Sequence, residues 1–373
     1  MAASLVPRPA DFLPASRCLR IDTERSGTVA NPEPAQGAEE PGKQNESPGQ
    51  NTEDMDESEK EASPVHKSFR YSVLGNEEAD TENESSDLDN QKIEEVINMN
   101  GIEIIKDCPI EVYEARSNTD YGVINHHTYH SQTTGLDRGV NVLLPGNYDA
   151  SKQYPVLYLL HGIFGDEYSL SGDVNNRLVE IIGNLQADGS AKEMIIVLPD
   201  MYATSDPDQK PAFNNEAVAP YDNFINDLVN DLIPFVEKTY SVLPGRENRA
   251  IAGFSMGGRE TLFIGLSRPD LFAYVGAIAP APGLVPGKDW AMTHPGQLQE
   301  DELTFAGKDY EPTVLMICCG TQDGTVGKFP ESYHNTFERN GVAHTWYEVP
   351  GADHDSQAIK SGLYNFVRAI FRD

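Results

Sequence analysis

The sequence predicts an α/β fold in which a mostly parallel central sheet carries helices on both faces. Two observations lead to this prediction. Apolar runs of five or six residues, the length of buried strands, alternate with segments whose apolar residues recur at helical spacing. A Gly-x-Ser-x-Gly motif also lies between one such strand and the helix that follows it, at residues 253–257.

The first hundred residues differ in composition from the rest. The stretch from Asn31 to Asn90 is rich in Glu, Asp, Asn, Ser, Pro and Gly and poor in branched apolar residues. Such a segment cannot bury enough surface to offset the entropy lost on ordering. We therefore predict a disordered acidic segment over residues 1–100 and a folded domain over residues 101–373.

The charge of the chain narrows the classes of partner. The 373 residues carry a formal net charge of −31, which argues against nucleic acids and anionic membrane surfaces as partners. No apolar run approaches the roughly 20 residues that a membrane-spanning helix needs. The first residues also lack the charged segment and apolar core of a signal peptide.

The folded domain contains seven predicted strands, at residues 140–144, 155–160, 194–198, 248–252, 273–278, 314–319 and 345–349. Helices are predicted over 178–185, 222–240, 258–266 and 356–371, with another between the last two strands. Asp222 is placed to cap the second of these helices, and Pro234 is expected to kink it.

The four cysteines are interpreted as free thiols. Cys318 and Cys319 are adjacent in an apolar strand, and together with Cys18 and Cys108 they form no Cys-x-x-Cys spacing. This pattern is not typical of a zinc ribbon or a redox motif. The cysteines are predicted to be small buried hydrophobic residues.

Ser255, at the centre of the Gly-x-Ser-x-Gly motif, is the predicted nucleophile. A serine hydroxyl needs an adjacent base that a third group orients. Asp323 directly follows the strand over 314–319, and His354 follows the strand over 345–349. The order Ser, Asp, His is that of the α/β-hydrolase arrangement, and all three residues come at carboxyl ends of strands, where open α/β sheets place their sites.

Each of these assignments has a structural alternative. Asp323 could cap the next helix, and His354 could be a surface-loop histidine. The other late histidines, His294, His334 and His344, are less well placed because they lie in an insert, in a predicted helix and at the start of a strand. The neighbours of His354, two aspartates, are interpreted as carboxylates of the turn.

A tetrahedral intermediate requires two backbone N–H donors for its oxyanion. Met256, directly after the serine, is predicted to supply one of them from the amino terminus of a helix. Ile163, in the loop after the strand over 155–160, is predicted to supply the other, with Phe164 as the second choice. His161 in the same loop is interpreted as a structural residue.

Four aromatic side chains are candidates for a substrate pocket. They are Phe164, Tyr202, Phe213 and Trp290, in loops that flank the predicted site; Tyr168 lies in a similar loop. Each could equally be an ordinary half-buried loop residue. A metal site at His126, His127 and His130 is not predicted, because no acidic partner is evident and the middle histidine of a strand faces away from the other two.

With these residues identified, the chain resembles carbohydrate esterase family 1, the feruloyl and acetylxylan esterases of the esterase D-like group. The resemblance covers about residues 120–371. The matching segments are residues 158–162, 196–200, 231–237, 253–258, 320–323 and 351–354. Many members carry an aromatic residue just after the histidine loop, where this chain has Asp355, Ser356 and Gln357.

The resemblance implies an α/β-hydrolase that releases acyl groups, often hydroxycinnamates, from plant cell-wall polysaccharides without a metal or other cofactor. It implies a triad of Ser255, Asp323 and His354, with Ile163 and Met256 in the oxyanion hole. We expect feruloyl xylan to be the substrate. Acetylxylan is the first alternative, S-formylglutathione hydrolase chemistry is a more distant one, and a non-catalytic binding module on a hydrolase scaffold is a third.

The resemblance also favours an extracellular protein. No signal peptide is visible in the sequence, and a cytoplasmic location is the alternative. The expected partner is feruloylated or acetylated xylan or its oligosaccharides, with no nucleic acid and no membrane. The sequence does not determine the oligomeric state.

Overall fold

The computed structural model describes residues 96–372, and the centre of this part is an eight-stranded sheet. Within residues 96–372 twelve strands form, in chain order β1 (Asn98–Met99), β2 (Ile102–Glu103), β3 (Val123–His130), β4 (Asp137–Leu144), β5 (Val156–Leu160), β6 (Ile195–Pro199), β7 (Arg249–Phe254), β8 (Tyr274–Ile278), β9 (Gly287–Lys288), β10 (Thr293–His294), β11 (Val314–Gly320) and β12 (Thr345–Val349). The large sheet has the order β12-β11-β8-β7-β5-β6-β4-β3.

Only β4 runs against the direction of the other strands of this sheet. It pairs antiparallel with β3 on one side and with β6 on the other, whereas every other pairing in the sheet is parallel. All seven predicted strands are present within one to three residues of their expected ends. The predicted mostly parallel sheet is confirmed, and β3 adds an eighth strand at its edge.

Nine α-helical segments accompany the strands: α1 (Ile110–Tyr113), α2 (Ser169–Gly172), α3 (Leu178–Ala187), α4 (Asn215–Asp222), α5 (Phe224–Asp227), α6 (Ile233–Thr239), α7 (Met256–Ser267), α8 (Phe329–Arg339) and α9 (Ser356–Ala369), counted within residues 96–372. Apolar residues of α3 and α9 pack on one face of the sheet, against side chains such as Leu157 and Leu159 of β5. Residues of α6, α7 and α8 pack on the other face, against Tyr158 and Leu160. The strand period of two separates these two cores.

The segment predicted as one helix over 222–240 is divided. A π-helical stretch, Leu228–Leu232, joins α5 to α6, and Pro234 lies in the first turn of α6, where the missing N–H is tolerated. The prediction that Asp222 caps this segment is wrong. Asp222 ends α4, and its carboxylate instead accepts a hydrogen bond from the buried Arg259, a stronger charge-assisted partner than a backbone N–H.

Residues just before the expected domain boundary at residue 101 also contact the folded core. Met99 of β1 is buried in the main core, and the Asn100 amide donates to the carbonyl of Ala369 in α9 over 2.7 Å. The acidic segment before residue 96 lies outside the described residues, so its disorder stays a prediction.

Cys108, Cys318 and Cys319 are free and buried, as predicted. No helix within residues 96–372 is long and apolar enough to cross a membrane.

Candidate active site

Ser255 occupies the sharp turn between β7 and α7. Its φ of 58° and ψ of −116° lie in a region that non-glycine residues rarely adopt. Backbone hydrogen bonds hold it there: its N–H donates to the Ile278 carbonyl over 2.9 Å, and its carbonyl accepts from the N–H of Ala281 over 2.9 Å. The strained turn is thus fixed by β8 and the loop after it.

Gly253 and Gly257 permit this turn because no side chain fits at either position. A Cβ atom on Gly257 would lie 2.6 Å from the His161 carbonyl oxygen, and one on Gly253 would overlap the Gly257 backbone. Both encounters involve main-chain atoms, which cannot move aside cheaply. The two glycines allow β7 and α7 to pass close to the loop that follows β5.

Asp323 and His354 meet at the carboxyl ends of β11 and β12. Asp323 Oδ2 lies 2.8 Å from His354 Nδ1, while Asp323 Oδ1 accepts the N–H groups of Thr325 and Val326. A carboxylate can only accept, so Nδ1 carries the proton and Nε2 keeps its lone pair. The ring also packs on Phe254, with centroids 4.4 Å apart. Asp323 therefore fixes the orientation and the tautomer of the imidazole.

Ser255 and His354 line one cavity of about 190 Å³, while Asp323 lies behind the histidine ring. The serine is 5% exposed, so its hydroxyl is reached through this cavity. Among the described residues no hydrogen bond joins the Ser255 hydroxyl to the His354 ring. Such bonds often form only when substrate is bound.

The backbone N–H groups of Ile163 and Met256 have no acceptor among the described residues, and both residues line the cavity. The Phe164 N–H, the second choice from the sequence, instead donates to the Tyr221 hydroxyl over 3.0 Å. Two unoccupied donors beside a serine are the arrangement that stabilises an oxyanion. Tyr221, a buried residue at the end of α4, was not predicted and fixes the loop that holds Ile163.

His161 is a structural residue, as predicted. It is 1% exposed, its Nδ1 lies 2.7 Å from the Gly162 carbonyl, and its Nε2 accepts the Met201 N–H over 3.0 Å. With both nitrogens engaged, the ring joins the loop after β5 to the loop after β6. It is not positioned as a second base.

The candidate aromatic residues divide into two groups. Phe213 and Trp290 line the cavity, with ring centroids 5.3 Å apart, and Phe164 packs edge-to-face on Phe213 from the exposed side. Tyr202 does not line the cavity: it is buried, and its hydroxyl donates to the Ala217 carbonyl over 3.1 Å. Tyr168 contacts His126 instead.

A second histidine–aspartate pair, not anticipated as a site feature, lies in the same cavity wall. His294 Nε2 is 3.0 Å from Asp289 Oδ2, and both residues line the cavity. The β9–β10 hairpin carries them, together with Trp290 and Met292. No local sequence signal marks this pair, because it forms only when the hairpin folds over the cavity.

A buried ionic cluster supports the helix that follows Ser255. The Arg259 guanidinium contacts the carboxylates of Asp222 and Glu260, and the Gln297 amide donates to both carboxylates. Burial, and next the neighbouring Glu260 charge, raise the pKa of the Asp222 carboxyl to about 7. The Asp222 side chain is 43% exposed, so solvent moderates this effect.

The three histidines of β3 do not gather into one site. His126 contacts Asn141 and Tyr168, His127 lies 2.6 Å from the Tyr240 hydroxyl, and His130 pairs with Asp137. His127 and His126 have partners on opposite faces of the strand, as the period of two predicts.

Comparison with known proteins identifies the relatives of this chain. The model of the Esterase family matches residues 131–355. A CE1 ferulic acid esterase from Anaeromyces mucronatus, solved in complex with ferulic acid, is 46% identical with a TM-score of 0.69. The match covers 72% of this chain and 98% of that one.

Curated relatives match over shorter shares. An endo-1,4-beta-xylanase/feruloyl esterase of Xylanibacter ruminicola is 36% identical over 174 residues, 45% of this chain. Endo-1,4-beta-xylanase Y of Acetivibrio thermocellus is 30% identical over 154 residues, 38% of this chain. The matched parts span 23% and 13% of the lengths of these two relatives.

Proposed function

The chain belongs to the Esterase family and to carbohydrate esterase family 1, and we propose that it is a serine esterase that releases feruloyl groups from plant cell-wall xylan. The observation that carries the proposal is the hydrogen bond between Asp323 and His354 beside a cavity that Ser255 also lines. A base with a fixed tautomer, an accessible hydroxyl and unoccupied N–H donors are the parts that acyl transfer requires.

The proposed reaction has two steps. In the first, Ser255 Oγ attacks the ester carbonyl while His354 Nε2 takes the hydroxyl proton, and the Ile163 and Met256 N–H groups stabilise the oxyanion. His354 then gives that proton to the departing sugar oxygen, which leaves an acyl-serine ester. In the second step water attacks the acyl-serine carbonyl while His354 Nε2 takes a proton from it, and His354 then gives this proton to Ser255 Oγ as the free acid leaves.

The lining of the cavity supports an aromatic acyl group over an acetyl group. Its walls are mostly apolar and include Phe213, Trp290 and Met292, which suit the flat ring of a hydroxycinnamate. The His294–Asp289 pair offers a polar partner for a phenolic hydroxyl. An acetyl group would contact only a small part of this surface. Acetylated xylan is therefore the second candidate substrate.

The primary test is Ser255→Ala with methyl ferulate and p-nitrophenyl acetate. We expect both hydrolytic activities to fall by about 10⁴-fold or more. A fluorophosphonate probe should label the wild-type chain at Ser255 and leave the variant unlabelled. Full activity of the variant would refute the assignment of Ser255 as the nucleophile. A wild-type chain that is neither labelled nor active would support a non-catalytic binding module instead.

The acyl preference is tested with Trp290→Ala, whose matched control is Tyr310→Ala. Trp290 is 71% exposed on the β9–β10 hairpin beside the cavity. Tyr310 is 44% exposed in a turn, and its own carbonyl accepts a hydrogen bond from Arg246. We expect Trp290→Ala to raise KM for methyl ferulate by about two- to tenfold, the worth of an aromatic contact, and to leave p-nitrophenyl acetate unchanged. Equal effects on both esters would contradict a feruloyl pocket.

The proposed substrate is a polymer outside the cell that degrades it. The proposal therefore includes an extracellular site of action, with feruloylated xylan or its oligosaccharides as the partner. A comparison of product release from feruloylated and acetylated xylan by the same preparation distinguishes the two substrates.

A further inference from the structure

A cluster of potential metal-ligand atoms lies where α8 leads into β12. His334 and Glu338 are one helical turn apart on α8, so their side chains share a face. His344 directly precedes β12. One potential donor atom from each of the three residues lies within 4.8 Å of the others. The cluster is at the amino-terminal end of β12, whereas His354 follows the carboxyl-terminal end of that strand, so it is separate from the cavity.

The two imidazoles point nitrogen atoms at each other. His334 Nδ1 lies 2.7 Å from His344 Nε2, and His344 Nδ1 lies 2.8 Å from the Val342 carbonyl oxygen. A carbonyl only accepts, so the proton of His344 is on Nδ1 and its Nε2 carries a lone pair. A metal-binding histidine typically donates its other N–H to such a carbonyl, which fixes the tautomer and the ring orientation.

Both rings are held in place by packing. His334 stacks on Trp346 of β12, with the ring planes 8° apart and the centroids 5.2 Å apart, and His344 packs against Phe337 of α8. Little rearrangement is then needed to form a site.

We propose that His334, Glu338 and His344 bind one divalent transition-metal ion, with zinc as the first choice and water completing a tetrahedral shell. Two imidazoles and one carboxylate suit zinc, whereas calcium and magnesium prefer oxygen ligands alone. At Zn–N distances of about 2.05 Å, two tetrahedral ligand nitrogens lie about 3.3 Å apart. The rings therefore need to separate by only about 0.6 Å, and the His334 proton moves from Nδ1 to Nε2.

The position of the site implies a structural effect. The α8–β12 unit follows the loop of Asp323 and leads into the loop of His354. An ion joining α8 to the start of β12 stabilises the corner between them by binding the folded state and not the unfolded one. We expect bound zinc to raise thermal stability without taking part in ester hydrolysis.

The test uses the full chain, first stripped with EDTA and then titrated with Zn²⁺ by calorimetry and by thermal unfolding. We expect one more bound zinc ion in the wild type than in His344→Ala, and a rise in Tm of about 5 °C or more at saturation. In the wild type, bound Co²⁺ should show visible d–d absorption and should quench the fluorescence of Trp346. Both signals should be lost in His344→Ala.

Two further variants keep the test decisive. Glu338→Gln changes an exposed side chain and preserves the fold, so we expect it to weaken zinc binding at least tenfold with an unchanged Tm in EDTA. His130→Ala removes an exposed histidine elsewhere on the surface and should retain the full response. Equal zinc stoichiometry, affinity and Tm shift in wild type, Glu338→Gln and His344→Ala would overturn the proposal.

Discussion

Asp323 divides its two carboxylate oxygens between a turn and a histidine. Oδ1 accepts the N–H groups of Thr325 and Val326, and Oδ2 lies 2.8 Å from His354 Nδ1. The first contact fixes the rotamer of the side chain, so the second has a defined direction. Asp323 does not cap the next helix, since α8 begins only at Phe329, and its second oxygen instead holds the turn that follows β11.

We expect Asp323→Asn to lower kcat by about 10³- to 10⁴-fold with little loss of stability. The amide oxygen can replace Oδ1 on the two N–H groups, which leaves the NH₂ group facing His354. The ring must then present Nδ1 as an acceptor, so its proton moves to Nε2 and the base towards Ser255 is lost. Steady-state kinetics and thermal unfolding measure the two effects, and near-normal kcat would contradict the assignment.

Tyr221→Phe tests the positioning of the loop after β5, called the oxyanion loop because it carries the proposed oxyanion donor Ile163. Without the hydroxyl, the Phe164 N–H loses its acceptor and the adjacent Ile163 N–H is held less firmly. We expect kcat to fall about tenfold, less than the 10²- to 10³-fold cost of deleting a donor, while KM is unchanged.

The matched control for this variant is Tyr202→Phe. It also removes a hydroxyl from a buried tyrosine, but that hydroxyl donates to Ala217 and not to the oxyanion loop. Equal losses of kcat in the two variants would indicate a general effect of core disruption and would contradict the positioning role of Tyr221.

Gly257→Ala should destabilise the protein, because the new Cβ would lie 2.6 Å from the His161 carbonyl oxygen. Overpacking of this kind costs about 1–3 kcal/mol or more in the free energy of unfolding. Gly307→Ala is the control, since a Cβ there meets no atom within 4 Å and the backbone is extended. Chemical denaturation compares the two, and equal stability would show that the turn accommodates a side chain.

Asp222→Asn tests the ionic cluster through its pH dependence. Burial and the nearby Glu260 charge raise the pKa of Asp222 from its ordinary 3.8 to about 7 in the folded state. Between these values the folded state binds more protons than the unfolded state, so this group lowers stability as pH rises from about 4 to 7.

The asparagine variant lacks this titration. Its Tm relative to wild type should therefore increase between pH 5 and pH 8, whatever the constant effect of the altered contact with Arg259. Paired melting curves at several pH values measure the difference. A difference that does not change with pH would be inconsistent with a raised pKa at this position.

Local sequence was sufficient to predict the strands, most of the helices and the positions of Ser255, Asp323 and His354. Strand periodicity and the glycines around Ser255 act over a few residues, and parallel strands bring their carboxyl ends to one edge of the sheet. The relation between Asp323 and His354 follows from this topology, although the residues are 31 positions apart.

The tertiary structure alone decided which polar groups satisfy one another. The Arg259 guanidinium rather than a helix end binds Asp222, Tyr221 rather than an oxyanion binds the Phe164 N–H, and His344 lies against His334. The chemistry of a side chain determines which hydrogen bonds it can donate or accept, but not which distant group it contacts. That choice depends on the packing of whole elements, and so the sequence by itself placed the predicted nucleophile and base but not their supports.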